Sequence, residues 1–178
     1  ENNEPLLDAA ARQQVLREFN VSMAELERDE MRAQGEEHQR LSRENKIAGQ
    51  EFLDENKTKE GVLVRRSNLQ FKKITTGTGT VPDYDDVVTV HYNGYLIDGH
   101  KFDSSYDRGN AAIFPVKGVI AGWTEILQIM PVGSKWEVYI PYNLAYGEKG
   151  IQGSEKGTYV IPPSATLVFE IELIGISN

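Results

Sequence analysis

The stretch "VVTVHYNGYL", residues 87–96, decides the fold. Within it, the apolar side chains of Val88, Val90 and Tyr92 alternate with polar ones. A period of two is typical of a β-strand that buries one face and exposes the other. The stretch therefore predicts a half-buried antiparallel strand.

The same period recurs at residues 136–140 and 167–173. Between these and the first stretch, Trp123, Leu127 and Met130 have the spacing of a helix, and a proline at the next position predicts its end. The sequence predicts an α+β fold, in which a twisted antiparallel β-sheet carries one short α-helix against its concave face.

Residues 1–60 have a different composition from the rest of the chain. They hold 15 acidic and 9 basic side chains and only two aromatic ones, Phe19 and Phe52. No proline occurs from residue 6 to 59, and the residue types there favour helix. We predict a charged helical extension over residues 1–60 and a folded domain over residues 61–178.

The extension carries its own helix signals. Ser22 and Glu25 have the spacing of a capping box, which predicts that a helix begins near Ser22, while Gly35 weakens it. A helix over residues 22–57 would be about 50 Å long, longer than a small domain is wide. It would either be a solvated tether or a helix for dimerisation or docking.

Composition excludes several function classes. A net charge of −8 argues against a nucleic-acid groove and against an anionic membrane surface. The absence of cysteine excludes disulfides, thiolate nucleophiles and Cys-ligated metals, and no apolar run is long enough to span a membrane. The three histidines lack metal-ligand spacing, and the acidic run at residues 83–86 lacks the glycine and glutamate of a calcium loop. The sequence predicts no metal site and no cofactor.

Aromatic residues dominate what remains. They either fill the core or line an apolar pocket that converges on a few polar groups. Asp103 lies among them, directly after Phe102, and is a candidate either for acid–base chemistry or for orienting its neighbours. The aromatic candidates are Tyr92, Phe102, Phe114, Trp123, Tyr146 and Phe169.

Four motifs resemble the FK506-binding protein (FKBP) family of peptidyl-prolyl cis/trans isomerases. They occur in family order from Val90 to Leu173 and are "VHYNGYLIDGHKFDSSYDRG", "GVIAGWTEILQIMPVG", "AYGEKG" and "VIPPSATLVFEIEL". The resemblance runs through most of residues 68–175. The segment "EFLDENKTKEGV" at residues 51–62 resembles the Mip-like branch, named for macrophage infectivity potentiators.

The resemblance implies a sheet wrapped on a short helix and an isomerase that assists protein folding. Its partners would be proline-containing polypeptides, and Trp123 would form the pocket floor. The resemblance implies catalytic roles for Tyr92, Asp103, Tyr146 and Phe169. It implies substrate-binding roles for Phe102, Arg108, Phe114, Val119, Ile120, Trp123 and Ile161, with an ion pair between Asp103 and Arg108.

The reaction explains these residue types. Rotation about an Xaa-Pro bond breaks no bond but must overcome a barrier of about 18–20 kcal/mol. Because the twisted amide is less polar than the planar one, an apolar pocket disfavours the ground state more than the transition state. The Ile161 amide and the Tyr146 hydroxyl would bond substrate carbonyls. Asp103 would orient Tyr92 and Arg108 and transfer no proton.

Departures from the family pattern leave some properties open. Ala111 and Ala112 stand where proline and a pocket aromatic are frequent, so macrolides such as rapamycin would bind with a weaker contact. The loop at residues 147–160 is longer than in the shortest members. The alternative function is a proline-binding module or chaperone in which turnover is secondary.

The Mip-like resemblance also bears on location and assembly. It implies export to a periplasm, the cell surface or the medium, with the signal peptide removed, and leaves a cytoplasmic location open. It is also compatible with a homodimer formed through the N-terminal helix.

Overall fold

The structure, a computed structural model, describes residues 8–177. The first seven residues of the predicted extension and Asn178 of the predicted domain lie outside the described residues. Besides two short 3-10 helices, Val116–Gly118 and Tyr142–Leu144, the described part contains two α-helices and nine strands. In chain order they are α1 (Ala9–Asn56), β1 (Val62–Val64), β2 (Gln70–Thr75), β3 (Val87–Leu96), β4 (Lys101–Ser104), β5 (Ala112–Pro115), α2 (Ala121–Leu127), β6 (Lys135–Ile140), β7 (Ile151–Gln152), β8 (Tyr159–Ile161) and β9 (Leu167–Ser177).

Helix α1 begins earlier than predicted. Asp8 caps it, since its Oδ1 accepts the Ala11 N–H at 2.7 Å. The predicted start at Ser22 is wrong, and the helix also continues through Gly35. The reason is the run of good helix formers between Ala9 and Ser22, which places the serine in a helix interior where its capping spacing has no open end to satisfy.

The chain divides into two compact units, residues 1–39 and 40–178. In the first, α1 from Ala9 onward exposes apolar side chains that recur every three or four residues. These are Leu16, Phe19, Met23 and Leu26, each 41–59% exposed. The second unit contains the rest of α1 and all the strands. The predicted domain boundary after Glu60 stays a prediction. Neither described helix is both long and apolar enough to cross a membrane.

Seven of the strands form one sheet in the order β1-β2-β6-β9-β3-β4, with β5 also paired to β3. The pairs are antiparallel, as predicted, and β3 alternates buried and half-buried residues along most of its length. Strand β9 lies at the centre, where Ile171 pairs with Tyr92 on one side and Trp136 on the other. Strands β7 and β8 form a separate hairpin.

Helix α2 packs its buried residues into the core beside the sheet. Trp123, Ile126 and Leu127 belong to the same apolar cluster as the inward-facing strand residues. Gly122 allows the close approach, because a Cβ there would lie 2.5 Å from Ile140 Cγ2. The helix ends at Leu127 rather than Met130, although Met130 is fully buried. The predicted α+β class is confirmed.

Candidate functional site

One cavity of about 280 Å³ opens beside α2 and is lined by residues from five elements and two loops. Strand β3 contributes Tyr92, β4 contributes Phe102 and Asp103, and the other walls come from β5, α2, β9 and the segments around them. The lining residues are Tyr92, Phe102, Asp103, Phe114, Gly118, Val119, Ile120, Trp123, Tyr146 and Phe169.

Trp123 is buried between three other aromatic rings. Its ring is nearly perpendicular to those of Tyr92, Phe114 and Phe169, with centroids 5.2, 5.8 and 5.4 Å away. These edge-to-face contacts fix the ring plane. The indole N–H is buried and has no hydrogen-bond partner among residues 8–177. The part of the cavity around Trp123 is therefore walled by packed aromatic rings.

One corner of the cavity is polar. The Tyr92 hydroxyl donates to the Asp103 carboxylate, and the Arg108 guanidinium donates to the same carboxylate. A second guanidinium nitrogen, Nη2, donates to the Tyr92 hydroxyl at 2.9 Å, and the Ser104 N–H donates to Asp103 Oδ1 at 2.8 Å. The predicted ion pair between Asp103 and Arg108 is thus present. Each of the three groups holds the other two.

The surroundings keep the two pocket phenols protonated. Burial, and then the hydrogen bond to Asp103, raise the pKa of Tyr92. Burial and the negative charge of Asp103 raise the pKa of Tyr146. Both phenols are neutral near pH 7 and keep a hydroxyl proton to donate.

Backbone geometry places the pocket rings. Gly94 pairs with Asp103 across β3 and β4, next to an irregularity in the register. A Cβ at Gly94 would lie 2.7 Å from Phe102 Cζ and 2.8 Å from Phe169 Cε1. Glycine is required because these two rings lie directly over its Cα. Ser105 also fixes the backbone of Tyr92, since its buried hydroxyl accepts the Tyr92 N–H at 2.8 Å.

Nine of the eleven predicted site residues line this cavity. Arg108 stands outside the lining, half exposed, and acts on it through Asp103 and Tyr92. Ile161 lies in β8 with its side chain buried in the core, so a role in the site would depend on its backbone amide. Gly118 lines the cavity and was not predicted, because a residue without a side chain carries no chemical signal. The predicted roles of all these residues stay predictions.

The site offers nothing that resembles a metal centre. Among residues 8–177, no three His, Asp or Glu side chains are grouped so as to hold a metal ion. Ala112, where a pocket aromatic is frequent in the family, is half-buried in β5 and packs against the core cluster.

Two family models match the chain. FKBP-type peptidyl-prolyl cis-trans isomerase matches residues 79–174, and the domain amino terminal to FKBP-type peptidyl-prolyl isomerase matches residues 1–72. Among solved structures, FkpA from Escherichia coli superposes with a TM-score of 0.76 at 34% identity, covering 96% of this chain and 74% of that one.

Curated relatives extend the comparison. The FKBP-type 22 kDa peptidyl-prolyl cis-trans isomerase of Escherichia coli is 56% identical over 128 residues, which are 72% of this chain and 59% of that protein. The outer membrane protein MIP of Legionella longbeachae is 45% identical over 156 residues, 88% of this chain and 64% of that protein. The chain thus spans about three fifths of the length of these relatives. The predicted resemblance is confirmed, and the chain belongs to the FKBP-type peptidyl-prolyl cis-trans isomerase family.

Proposed function

We propose that this chain accelerates rotation about Xaa-Pro bonds in protein substrates and thereby assists their folding. One observation carries the proposal: an aromatic cavity whose only charged lining residue, Asp103, is already paired with Arg108 and Tyr92. No free nucleophile or base lines the described cavity, and prolyl rotation needs neither.

The apolar walls supply the main catalytic effect. A planar amide is more polar than a twisted one, so transfer from water into the rings around Trp123 raises the energy of the planar state more. Binding therefore favours the rotated state, and this difference lowers the barrier. The cavity volume of about 280 Å³ suits a pyrrolidine ring with its flanking backbone.

Polar groups at the rim hold the substrate in the rotated geometry. The neutral Tyr146 hydroxyl is a hydrogen-bond donor for a substrate carbonyl, and the Ile161 amide would bind a second carbonyl. The residues with catalytic roles in this proposal are Tyr92, Asp103, Tyr146 and Phe169. Asp103 acts by fixing the Tyr92 hydroxyl and the guanidinium of Arg108.

The test is an NMR exchange or protease-coupled assay on short Xaa-Pro peptides with the full chain, repeated with rapamycin. We expect fast isomerisation that the macrolide inhibits, with affinity reduced by the small side chain of Ala112. Folded protein that does not accelerate exchange would refute the isomerase proposal. If the same protein still bound proline peptides, a binding module would be the better description.

We also propose a homodimer through the exposed apolar stripe of α1, formed by Leu16, Phe19, Met23 and Leu26. Their spacing of three and four residues places them on one helix face, and a second copy would bury that face. Sedimentation at increasing concentration tests this, with Phe19→Glu as the disrupting variant. A strict monomer at high concentration would contradict it.

We propose export from the cytoplasm, to a periplasm, the cell surface or the medium. The name of the Legionella relative, an outer membrane protein, supports this. Fractionation of the native host, followed by immunodetection, is the measurement. Recovery in the cytoplasmic fraction alone would refute export.

A further inference from the structure

The loop that carries Tyr146 is held by backbone hydrogen bonds through its neighbour, Gly147. The Gly147 N–H donates to the Tyr142 carbonyl at 2.9 Å, and the Gly147 carbonyl accepts the Ser164 N–H at 2.9 Å. Gly147 has a φ of +64°, which few other residues adopt. Since Tyr146 is itself 38% exposed, these backbone bonds add to packing in setting its position.

Ser164 is in turn held by the last part of α1. It is fully buried with a φ of +58°, an unusual conformation for a residue with a side chain. Its hydroxyl lies 2.8 Å from the hydroxyl of Ser42. One turn further along the helix, Asn45 Nδ2 donates to the Pro163 carbonyl at 2.8 Å. Two consecutive helix turns thus fix residues 163 and 164.

Two more helix residues extend this contact. Lys46 Nζ lies 2.5 Å from Glu148 Oε1, on the same loop as Tyr146. Gly49 packs against Thr166, where a Cβ would lie 2.3 Å from the threonine Oγ1. We call Ser42, Asn45, Lys46 and Gly49 the α1 contact face. Their spacing places them on one side of the helix.

We propose that the α1 contact face positions the isomerase site: by holding Pro163 and Ser164 it holds Gly147, and through Gly147 the Tyr146 side chain. The inference rests on the proposed function, because it gives these helix residues a part in turnover as well as in stability. Ser42 and Asn45 do not line the pocket, so they are positioning residues.

The first test is Ser42→Ala in the full chain, which leaves the buried Ser164 hydroxyl without its helix partner. We expect kcat to fall about fivefold, well short of the roughly 100-fold that a misplacement of about 1 Å can cost. We expect KM to change less than about twofold, because the Tyr146 hydrogen bond matters most in the rotated state. Amide NMR signals of Tyr146 and Gly147 should shift in the same variant. Asn45→Ala should act in the same direction.

A matched pair of glycine variants distinguishes an effect on the position of Tyr146 from an effect on the stability of α1. Gly49→Ala forces a contact with Thr166, whereas Gly35→Ala places the same methyl group in the same helix with nothing within 4 Å. We expect Gly49→Ala to lower kcat and Gly35→Ala to leave it unchanged. If Gly49→Ala does not fold, Ser42→Ala and Asn45→Ala still decide the question.

The outcomes are distinct. Variants with a lower Tm but unchanged kcat, KM and Tyr146 amide signals in the folded protein would overturn the inference, since α1 would then only stabilise the domain. A wild-type protein without isomerase activity would refute the proposed function instead. In that case, unshifted Tyr146 and Gly147 amides in Ser42→Ala would also overturn the positioning role, and shifted ones would support it.

Discussion

Replacing Asp103 with alanine separates an orienting role from proton transfer. The substitution removes the carboxylate that accepts hydrogen bonds from the Tyr92 hydroxyl, the Arg108 guanidinium and the Ser104 N–H. It leaves the aromatic walls in place, because Tyr92 keeps its ring contacts with Trp123. We expect reduced but measurable catalysis.

The size of the loss follows from the exposure of the groups. The side chains of Asp103 and Arg108 are 40% and 50% exposed, so their ion pair contributes at most about 1 kcal/mol. Hydrogen bonds that orient Tyr92 and Arg108 contribute about 0.5–1.5 kcal/mol each. Losing two of them raises the barrier by about 1–3 kcal/mol, which lowers kcat/KM by about 5- to 150-fold. Loss of a general acid or base would cost about 100- to 10,000-fold.

The assay is NMR exchange on an Xaa-Pro peptide at several pH values, with thermal unfolding to verify the fold. Asp98→Ala, which removes the same type of side chain from an exposed turn, is the control and should leave kcat/KM unchanged. Because the pKa values of Tyr92 and Tyr146 are both raised, neither phenol ionises below about pH 9, and ionisation of these phenols should not affect wild-type kcat/KM between about pH 7 and 9. A loss above about 1,000-fold in folded Asp103→Ala would refute the orienting role.

Three further predictions concern stability and the polar corner. Gly94→Ala pushes a methyl group into Phe102 and Phe169 and should lower the free energy of urea unfolding by about 1–3 kcal/mol; an unchanged value would mean that the rings move freely. Arg108→Lys keeps the charge but loses the two-pronged contact, so kcat/KM should fall about fivefold in the exchange assay, and full activity would show that charge alone suffices. Burial and Glu137 raise the pKa of Tyr139 to about 12, so the fold favours its neutral form; the associated stability is complete below pH 10 and is lost as pH rises towards 12. Tyr139→Phe should flatten that alkaline decline in unfolding experiments, and an identical decline would assign it to other groups.

Local patterns predicted the strands of the sheet, because burial alternation is carried by neighbouring residues, whereas the residues of the pocket came from the resemblance to the family. The strand at residues 87–96 was readable from its period, and the Asp103–Arg108 pair followed from the family motif. The start of α1 was predicted wrongly. The capping-box signal at Ser22 is local, whereas the helix formers before it determine where the helix begins.

What the sequence could not reveal depends on distant partners. The contact between Ser42 and Ser164 joins residues 122 positions apart, and neither serine differs in type from exposed ones. Gly118 enters the pocket lining through its backbone alone. The burial of the Ile161 side chain follows from how the β7–β8 hairpin packs against the core, which no local pattern determines.

The central position of β9 determines when the domain can fold during synthesis. Every other strand of the sheet is made before it, yet β9 pairs with both β6 and β3. Until residues 167–177 leave the ribosome, the strands on one side of β9 (β1, β2 and β6) cannot join those on the other (β3, β4 and β5). Their apolar faces, which include Val90 and Val138, stay uncovered. Nascent chains of this protein therefore expose aggregation-prone surface until β9 emerges and complete the sheet only then.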